Sequence, residues 1–345
     1  MLRATLRDIA EATGFSISSV SLVLNDRPNR ISAESREKII AAAKRLDYHP
    51  NQAAVSLITR RSNTIGLIIP DITNMFFAQI AKGAETRSSE LGFSLVLCNT
   101  NDDPEKDLEY LNVLLDRGAD GILLVSSYRP GIERAPADRK QLLREKPIVL
   151  VDRNAERLLD SGHFSSVFSD NEQGAYLATK YLLSLGHKKI GCVTGPMGAV
   201  SSKNRLFGYI RALQEADLPF DGTLVREGNY HIDTGYEYGS ALIDAGVTAI
   251  FAFNDMMAYG VYRAAAERGV SIPGELSVVG YDDLPFSEIS EPPLTSVRQG
   301  AYEIGVESVN TIVRQIGDLQ RTPQTTTLQP ELVVRKSTGQ VKEGA

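Results

Sequence analysis

The feature that most limits what this chain can fold into is a series of apolar runs of strand length that begins near residue 64. The runs alternate with stretches of helical pattern, such as residues 171–185 and 254–268. A first series comprises residues 65–69, 93–98, 121–125 and 148–151, and a second comprises residues 167–168, 190–193, 249–253 and 276–280. Strands that are apolar throughout are typical of parallel sheets covered by helices on both faces. Two such series predict two similar α/β lobes.

Polar residues follow several of these strands. Ligands of open parallel sheets bind beyond the carboxyl ends of the strands, and two lobes that face each other form a cleft there. The candidates are Asp71, Asn74, Asp152, Asn254, Asp255, Tyr281, Asp282 and Asp283. Each residue could instead cap a helix or form a turn. For Asp255, and for Asn171 at another predicted helix start, we favour that structural role.

The first fifty residues carry a different pattern, that of three short helices. Capping residues Thr5, Ser16 and Ser32 predict the helix starts, and Gly14 supplies a tight turn between the first two helices. The residues predicted to share an apolar core are Ile9, Ala10, Val20, Leu24, Ile39, Ile40, Ala43 and Leu46. The outer face of the second helix then carries Ile17, Ser18, Ser21 and Leu22. This arrangement is typical of a helix-turn-helix unit that binds the major groove, although an ordinary three-helix bundle would show the same pattern.

The charge of the chain is divided unevenly along its length. The whole chain has a net charge of −6, but residues 1–61 hold ten Lys and Arg and six Asp and Glu. The net charge is therefore +4 for this head and −10 for the remainder. A basic head on an acidic body can meet DNA phosphates with one end while the other end is repelled.

Motifs for catalysis, cofactors or metals are absent from the sequence. It contains no GxxxxGK[ST], GxGxxG or GxSxG motif, and its four histidines are scattered without the spacing of metal ligands. Cys98 and Cys192 fall in strand-like runs outside any Cys-x-x-Cys pair, so we expect buried, reduced thiols. We therefore expect neither an enzyme nor a cofactor or metal site.

No apolar run approaches the roughly 20 residues that a membrane helix needs. Hydrophobic residues make up 42% and charged residues 23% of the chain. Residues 1–10 lack the apolar core of a secretion signal. We expect a cytoplasmic protein that has no membrane partner.

Four segments of the head resemble the lactose and galactose repressor family of DNA-binding transcriptional regulators. They are residues 5–10 (TLRDIA), 19–25 (SVSLVLN), 35–39 (SREKI) and 46–51 (LDYHPN). The resemblance implies that contacts with double-stranded operator DNA come from Thr5, Leu6, Arg7, Ser16, Ile17, Ser18, Ser21, Leu22, Asn25, Arg30, Asn51, Ala54 and Leu57. It also implies that the segment after residue 50 becomes helical against a second copy and that Leu57 is wedged into the minor groove.

Two positions depart from the family. Leu22 and Val55 stand where most relatives have arginine. Arginine pairs with guanine through two hydrogen bonds, whereas Leu22 offers only apolar contact, for example with a thymine methyl group. We therefore expect a different base preference, with DNA binding itself retained.

Five later segments resemble the family's sensor domain, which shares the fold of periplasmic sugar-binding proteins. They are residues 70–77 (PDITNMFF), 186–190 (GHKKI), 205–209 (RLFGY), 253–258 (FNDMMA) and 279–283 (VGYDD). The effector contacts that the resemblance implies are Phe76, Asp152, Arg205, Tyr230, Asn254, Asp282 and Gln299. Carboxylates, a guanidinium and aromatic faces suit a polyhydroxylated sugar better than a purine.

These observations predict a multidomain protein with an all-α head and a two-lobed α/β sensor that contains parallel sheets. The expected domains are a helix-turn-helix head at 1–50, a hinge helix and linker at 51–61, an effector-binding and dimerisation domain at 62–340 and a tail at 341–345. We expect a homodimer because paired heads read paired half-sites. Residues 75–91 and 302–316 are candidate helices for the dimer face, and no heptad repeat after residue 336 would build a tetramer.

The expected function is that of a transcriptional regulator, specifically a repressor. A small-molecule effector, expected to be a sugar, controls its operator affinity by shifting the equilibrium between two lobe arrangements. A sugar-binding receptor without a DNA role would explain the lobes equally well. That alternative would not account for the basic helical head.

Overall fold

The computed structural model describes residues 4–25, 30–49, 61–127, 146–152, 164–318 and 322–341. Two compact units are present, a head of residues 1–62 and a larger unit of residues 63–345. The predicted helical head and two-lobed α/β body are both confirmed.

The described part of the head contains three helices: α1 Leu6–Thr13, α2 Ile17–Leu24 and α3 Ala33–Arg45. Each begins at the predicted cap, because a side-chain oxygen of Thr5, Ser16 or Ser32 accepts a backbone amide of the first turn. Gly14 ends α1 in the left-handed region at φ 75°. The head therefore has the local structure that its caps and turn residue predict.

The apolar core of the head differs from the prediction at several positions. Val23 is buried with Ile9, Val20 and Ile39, whereas Leu24 is only half-buried against them. Ile40 is 37% exposed, so its prediction as a core residue is wrong. The reason is helical spacing, since residue 40 is rotated by about 100° from residue 39 and faces away from the other helices.

The larger unit contains two sheets with the same strand order. The strands of the first lobe are β1 Thr64–Ile69, β2 Ser94–Asn99, β3 Gly121–Leu124, β4 Ile148–Val151, β5 Ser165–Ser169 and β11 Thr325–Leu328, and their order is β11-β5-β4-β3-β1-β2. The strands of the second lobe are β6 Ile190–Thr194, β7 Val225–Glu227, β8 Ala249–Ala252, β9 Ser277–Asp282, β10 Thr295–Arg298 and β12 Glu331–Val333, and their order is β12-β10-β9-β8-β6-β7. All the strand pairs are parallel except β10 with β12.

Helices cover both sheets, as the continuous apolar strands predict. They are α4 Met75–Glu90, α5 Pro104–Asp116, α6 Asn171–Ser184, α7 Val200–Glu215, α8 Ile232–Asp244, α9 Asp255–Glu267, α10 Pro285–Ile289 and α11 Ala301–Ile316. The two candidate dimer helices, α4 and α11, pack against each other and against the sheet of the first lobe. No helix among the described residues is both long enough and apolar enough to cross a membrane.

The described chain passes between the lobes three times, after β5, after β10 and after β11. Each lobe is therefore built from separate stretches of sequence. The placement of residues 167–168 in the second series is wrong, because β5 pairs with β4 in the first lobe. Four further strands, β7, β10, β11 and β12, are short or polar and were not predicted.

β2 lies at an edge of its sheet and is partly exposed. Val96 is 39% and Leu97 is 41% exposed. Cys98 on the same strand is only half-buried, contrary to the prediction, while Cys192 on β6 is fully buried. Both thiols are free, and burial raises the pKa of each.

Candidate DNA-binding and effector sites

The outer face of α2 carries the side chains predicted to meet the bases. Ile17 and Ser18 are exposed, and Ser21 and Leu22 are half-buried. Ile17 is 46% exposed, which is unusual for so large an apolar side chain. A face of hydroxyl and methyl groups can contact base edges and thymine methyls.

Three other predicted DNA-binding residues also stabilise the helix ends. Thr5 and Asp8 form a capping box, in which the Thr5 amide donates to Asp8 Oδ2 at 2.7 Å and the Asp8 amide donates to Thr5 Oγ1 at 3.4 Å. Ser16 Oγ accepts the Ser19 amide at 3.1 Å, and Asn25 Nδ2 donates to the Ser21 carbonyl at 2.8 Å. These side chains hold the recognition face in place from within the head.

The remaining head residues divide by exposure. Arg7 and Arg30 are exposed cations, while Leu6 is half-buried and packs against the apolar core. Three further predicted contacts lie outside the described residues: Asn51, Ala54 and Leu57.

All seven predicted effector residues line one cavity between the two lobes. Those from the first lobe and its connections are Phe76 and Asp152, and those from the second are Arg205, Tyr230, Asn254, Asp282 and Gln299. Asn74, Phe77 and Ser201 complete the lining. Asn74 was predicted only as a strand-end candidate, and Phe77 and Ser201 were not predicted. Ser201 could have been found, because it precedes Arg205 by one helical turn on α7.

Arg205 is held by contacts on several sides. It is 3% exposed, its Nε donates to Asn171 Oδ1 at 2.7 Å, and its Nη1 donates to the Phe253 carbonyl. Its guanidinium carbon lies 3.8 Å from the ring centroid of Tyr281. Burial alone would lower the pKa of Arg205. The pKa is nevertheless raised, because nearby groups favour the charged form and outweigh burial: Tyr230, Tyr281, Asp282 and Asp152. The cleft therefore contains a fixed, buried cation.

A buried acid and a buried amide lie beside this cation. Asp282 is 6% and Gln299 is 1% exposed, and Gln299 Nε2 donates to Asp282 Oδ1 at 2.6 Å. Burial raises the pKa of Asp282 well above its ordinary value, and Arg205 opposes that rise. Gln299 Oε1 is buried and accepts no hydrogen bond from the described residues. A buried acceptor of this kind is costly unless a ligand or water supplies a donor.

Tyr230 provides an aromatic wall of the cavity and has a left-handed backbone, with φ 71°. Its hydroxyl lies 2.6 Å from Ser202 Oγ, and its carbonyl accepts from Asn254 Nδ2 at 2.8 Å. A Cβ atom at Gly195 would lie 2.0 Å from Tyr230 Cζ, so only glycine admits the ring here. Asn254 also caps α9 by accepting the Met257 amide at 2.9 Å.

Asn171 and Asp255 do not have the capping role that the sequence analysis favoured. The cap of α6 is Asp170, whereas Asn171 accepts from Arg205 and orients it. The cap of α9 is Asn254, whereas the buried Asp255 carboxylate accepts from the Leu284 amide and the hydroxyls of Ser287 and Ser296. The partners of both side chains are distant in sequence, which is why a local pattern could not reveal them.

The cavity that the predicted residues enclose is about 20 Å³, which is room for one water molecule. A second cavity of about 190 Å³ adjoins it and shares Asn74, Phe77 and Tyr230. His231 of the second lobe lies 3.8 Å from Asp102 of the first beside this outer cavity. A ligand the size of a sugar ring would therefore require side chains or lobes to move before it could occupy the inner site.

Known proteins share the architecture of both units. Residues 5–51 match the profile of bacterial regulatory proteins of the lacI family, and residues 179–338 match that of periplasmic binding protein-like domains. The transcriptional regulator DegA of Bacillus subtilis is 37% identical over 341 residues, which is 98% of each chain.

Solved structures agree in fold across almost the whole chain. The lac repressor dimer bound to operator and the anti-inducer ONPF is 28% identical, with a TM-score of 0.83 over 98% of this chain and 100% of that one. The complex of the transcriptional regulator CelR with cellobiose is 30% identical, with a TM-score of 0.71 over 97% of this chain and 100% of that one. The chain therefore belongs to the lacI family of bacterial regulatory proteins and is a DNA-binding transcriptional regulator.

Proposed function

We propose that this chain is a cytoplasmic transcriptional repressor whose affinity for operator DNA is controlled by a sugar bound between its two lobes. The observation that supports this proposal most directly is a set of buried polar groups in the inner cavity. Arg205 offers guanidinium N–H donors, Asp282 offers a carboxyl group, and Gln299 offers a buried acceptor, its Oε1. A molecule with several hydroxyl groups can donate to and accept from such groups at once. A relative of the same fold holds cellobiose, which supports a sugar as the class of effector.

The aromatic walls support the same ligand class. Phe76, Phe77 and Tyr230 line the cavity beside the polar groups. An aromatic ring can pack against the apolar face of a sugar, while the polar groups bind its edge. A flat purine would use the same rings, so a purine is the ligand class to test against the sugar.

In the head, we propose that α2 enters the major groove and presents Ile17, Ser18, Ser21 and Leu22 to the bases. The exposure of Ile17 and the +4 charge of residues 1–61 support this orientation. Arg7 and Arg30 are then available to DNA phosphates.

We propose that two copies act together, because paired heads read paired half-sites. The candidate contact surface of the first lobe includes the two candidate helices α4 and α11. The edge strand β2 packs beside α4, and Leu91, Val96 and Leu97 are exposed there. An open edge strand with apolar side chains is a liability in a monomer. A sedimentation measurement should give the mass of two chains, and Leu97→Lys should shift it toward one, whereas Phe220→Lys, at a 44% exposed position of the second lobe outside this surface, should not.

The test of the proposed function is a fluorescence-anisotropy titration of the protein against its own promoter DNA at several salt concentrations. The titration is repeated with a panel of sugars and with purine bases. Tight, salt-sensitive binding that one sugar alters would support the proposal. Operator binding altered by a purine alone would contradict the sugar assignment, and binding no tighter than to unrelated DNA would contradict the repressor role on that promoter.

A further inference from the structure

Two apolar side chains of the second lobe pack into the core of the first. Leu284 follows β9, yet it is 1% exposed and lies in the apolar cluster of Phe76 and Phe77 in the first lobe. Met256 on α9 packs against the same cluster, although its neighbour Met257 belongs to the core of the second lobe. The lobes are therefore joined by an apolar contact as well as by the three chain connections.

The backbone before Leu284 has an unusual conformation. Asp282 and Asp283 both have positive φ angles, 105° and 54°. L-residues rarely adopt such angles, and two in succession must be held by their surroundings. Asp283 is held by Arg298 at 2.7 Å and by Arg335 at 2.7 Å. The turn directs the chain away from β9.

Asp255 fixes Leu284 at the end of this turn. Its Oδ2 accepts the Leu284 amide at 2.7 Å and the Ser287 hydroxyl at 2.5 Å, and its Oδ1 accepts the Ser296 hydroxyl at 2.5 Å. Asp255 itself is fully buried. One carboxyl group thus ties the start of α9 to β10 and to the segment that carries Leu284.

The same segment carries a wall of the effector cavity. Asp282 lines the cavity and lies two residues before Leu284. The cavity is too small for a sugar ring as it stands, so a ligand must displace part of its lining. Only two peptide units separate Asp282 from Leu284, whose side chain is buried in the core of the other lobe.

We propose that Leu284, held in place by Asp255, is the joint that couples occupancy of the cleft to the position of one lobe on the other. Leu284 touches the core of the first lobe while its chain neighbour Asp282 faces the ligand site. Leu284 is a positioning residue, since it acts through Asp282 and through the packing between lobes. Only the ligand response of this joint rests on the proposed function, because the packing between lobes does not require an effector.

The test is a distance measurement between nitroxide labels by pulsed electron paramagnetic resonance on the full chain. The labels are attached at Glu105→Cys in the first lobe and Asp233→Cys in the second, which are exposed positions at the starts of α5 and α8. Cys98 and Cys192 are first replaced by Ser and Ala. Leu284→Ala should lengthen or broaden the distance distribution, and Leu284→Met should preserve it.

A matched control is Leu242→Ala, which makes the same truncation at a fully buried residue of the second lobe's own core. It should leave the distribution of the parent unchanged. An unchanged distribution in Leu284→Ala would overturn the proposal. Should that chain fail to fold, Met256→Ala removes the other apolar contact between the lobes and should give the same lengthening.

A second measurement separates this proposal from the proposed function. The sugar found by the anisotropy panel is titrated into the labelled parent and into labelled Leu284→Ala. A shift of the parent distribution that the variant no longer shows supports the joint. If no sugar of the panel alters operator binding, the sugar effector is contradicted, while the comparison of Leu284→Ala with the parent still tests the packing between lobes. If the sugar alters operator binding but leaves the parent distribution unchanged, or shifts both chains alike, the joint alone is contradicted.

Discussion

The guanidinium of Arg205 lies over the ring of Tyr281, with 3.8 Å between its central carbon and the ring centroid. Asn171 and the Phe253 carbonyl hold the same guanidinium through hydrogen bonds. The shape of the group therefore matters as well as its charge, because a lysine ammonium can neither stack on a ring nor donate in several fixed directions.

Arg205→Lys should reduce the affinity of the cleft for its effector about ten- to hundredfold, since a hydrogen bond to a charged group contributes about 1.5–3 kcal/mol. Operator binding without effector should persist. Isothermal titration calorimetry with the effector measures the loss. Arg211→Lys is the control, because Arg211 lies over the ring of Tyr176 at 4.1 Å outside the cavity. Equal losses in the two variants would contradict a ligand role for Arg205.

Asn171→Ala should weaken effector binding about tenfold, because Arg205 Nε loses its 2.7 Å acceptor and becomes a buried, unsatisfied donor. Asn171→Asp keeps an acceptor and should restore most of the affinity. Asn310→Ala, which removes the acceptor of Arg87 Nε elsewhere in the sensor, should leave it unchanged. The same titrations compare the three variants, and an unaffected Asn171→Ala would show that Arg205 does not need this orientation.

Thr5→Ala should destabilise the head by about 1 kcal/mol, the usual effect of removing a helix cap. Hydrogen exchange of residues 6–13 should accelerate in the full chain. Thr13→Ala is the matched control, because Thr13 Oγ1 donates to a carbonyl within α1 and does not cap it. Equal exchange in both variants would contradict the capping box.

The same capping box predicts a pH dependence at the acid end. Hydrogen bonds from the Thr5 backbone and side chain lower the pKa of Asp8 in the folded head. The stability that Asp8 contributes is therefore present above its unfolded pKa of about 4 and is lost as the pH falls through the lower folded value. Hydrogen exchange of α1 should accelerate below about pH 4 in the parent and change less with pH in Asp8→Asn.

For Asp255 we expect stability to depend on pH in the opposite direction. Burial raises its pKa to about 7, although hydrogen bonds from Ser287, Ser296 and Leu284 oppose the rise. Its contribution to stability is therefore full below the unfolded pKa of about 4 and declines as the pH rises to about 7. The free energy of unfolding in urea should fall between these values by a few kcal/mol more in the parent than in Asp255→Asn. Parallel pH profiles would contradict this assignment.

The fold could be predicted from the sequence where local pattern and burial coincide. The strands β1, β3, β4 and β8 are short apolar runs, and each is buried along nearly its whole length. The strand β11, with the sequence TTTL, has no such pattern, because an edge strand is exposed on its open side. Its pairing with β5, about 160 residues earlier, depends on tertiary structure alone.

The candidate site could be predicted where its residues follow strands, but not where a side chain's partner is distant in sequence. The seven residues named through the family resemblance line one cavity, since they lie at the carboxyl ends of strands that face each other. Asn171 and Asp255 were misjudged because a polar residue at a helix start has the same local pattern whether it caps the helix or reaches across the lobe. Asn171 binds Arg205, 34 residues later, and Asp255 binds Ser296, 41 residues later.

The three passages of the chain between the lobes set the order in which the protein can be completed during synthesis. The head is finished within the first 62 residues, whereas the sheet of the first lobe waits for β11 at Thr325–Leu328 and that of the second for β12 at Glu331–Val333. During synthesis, the DNA-binding head can therefore fold long before the sheets of the sensor are complete. Premature termination near residue 320 should therefore yield a folded head that lacks both the ligand response and the pairing through the first lobe that we propose for operator binding.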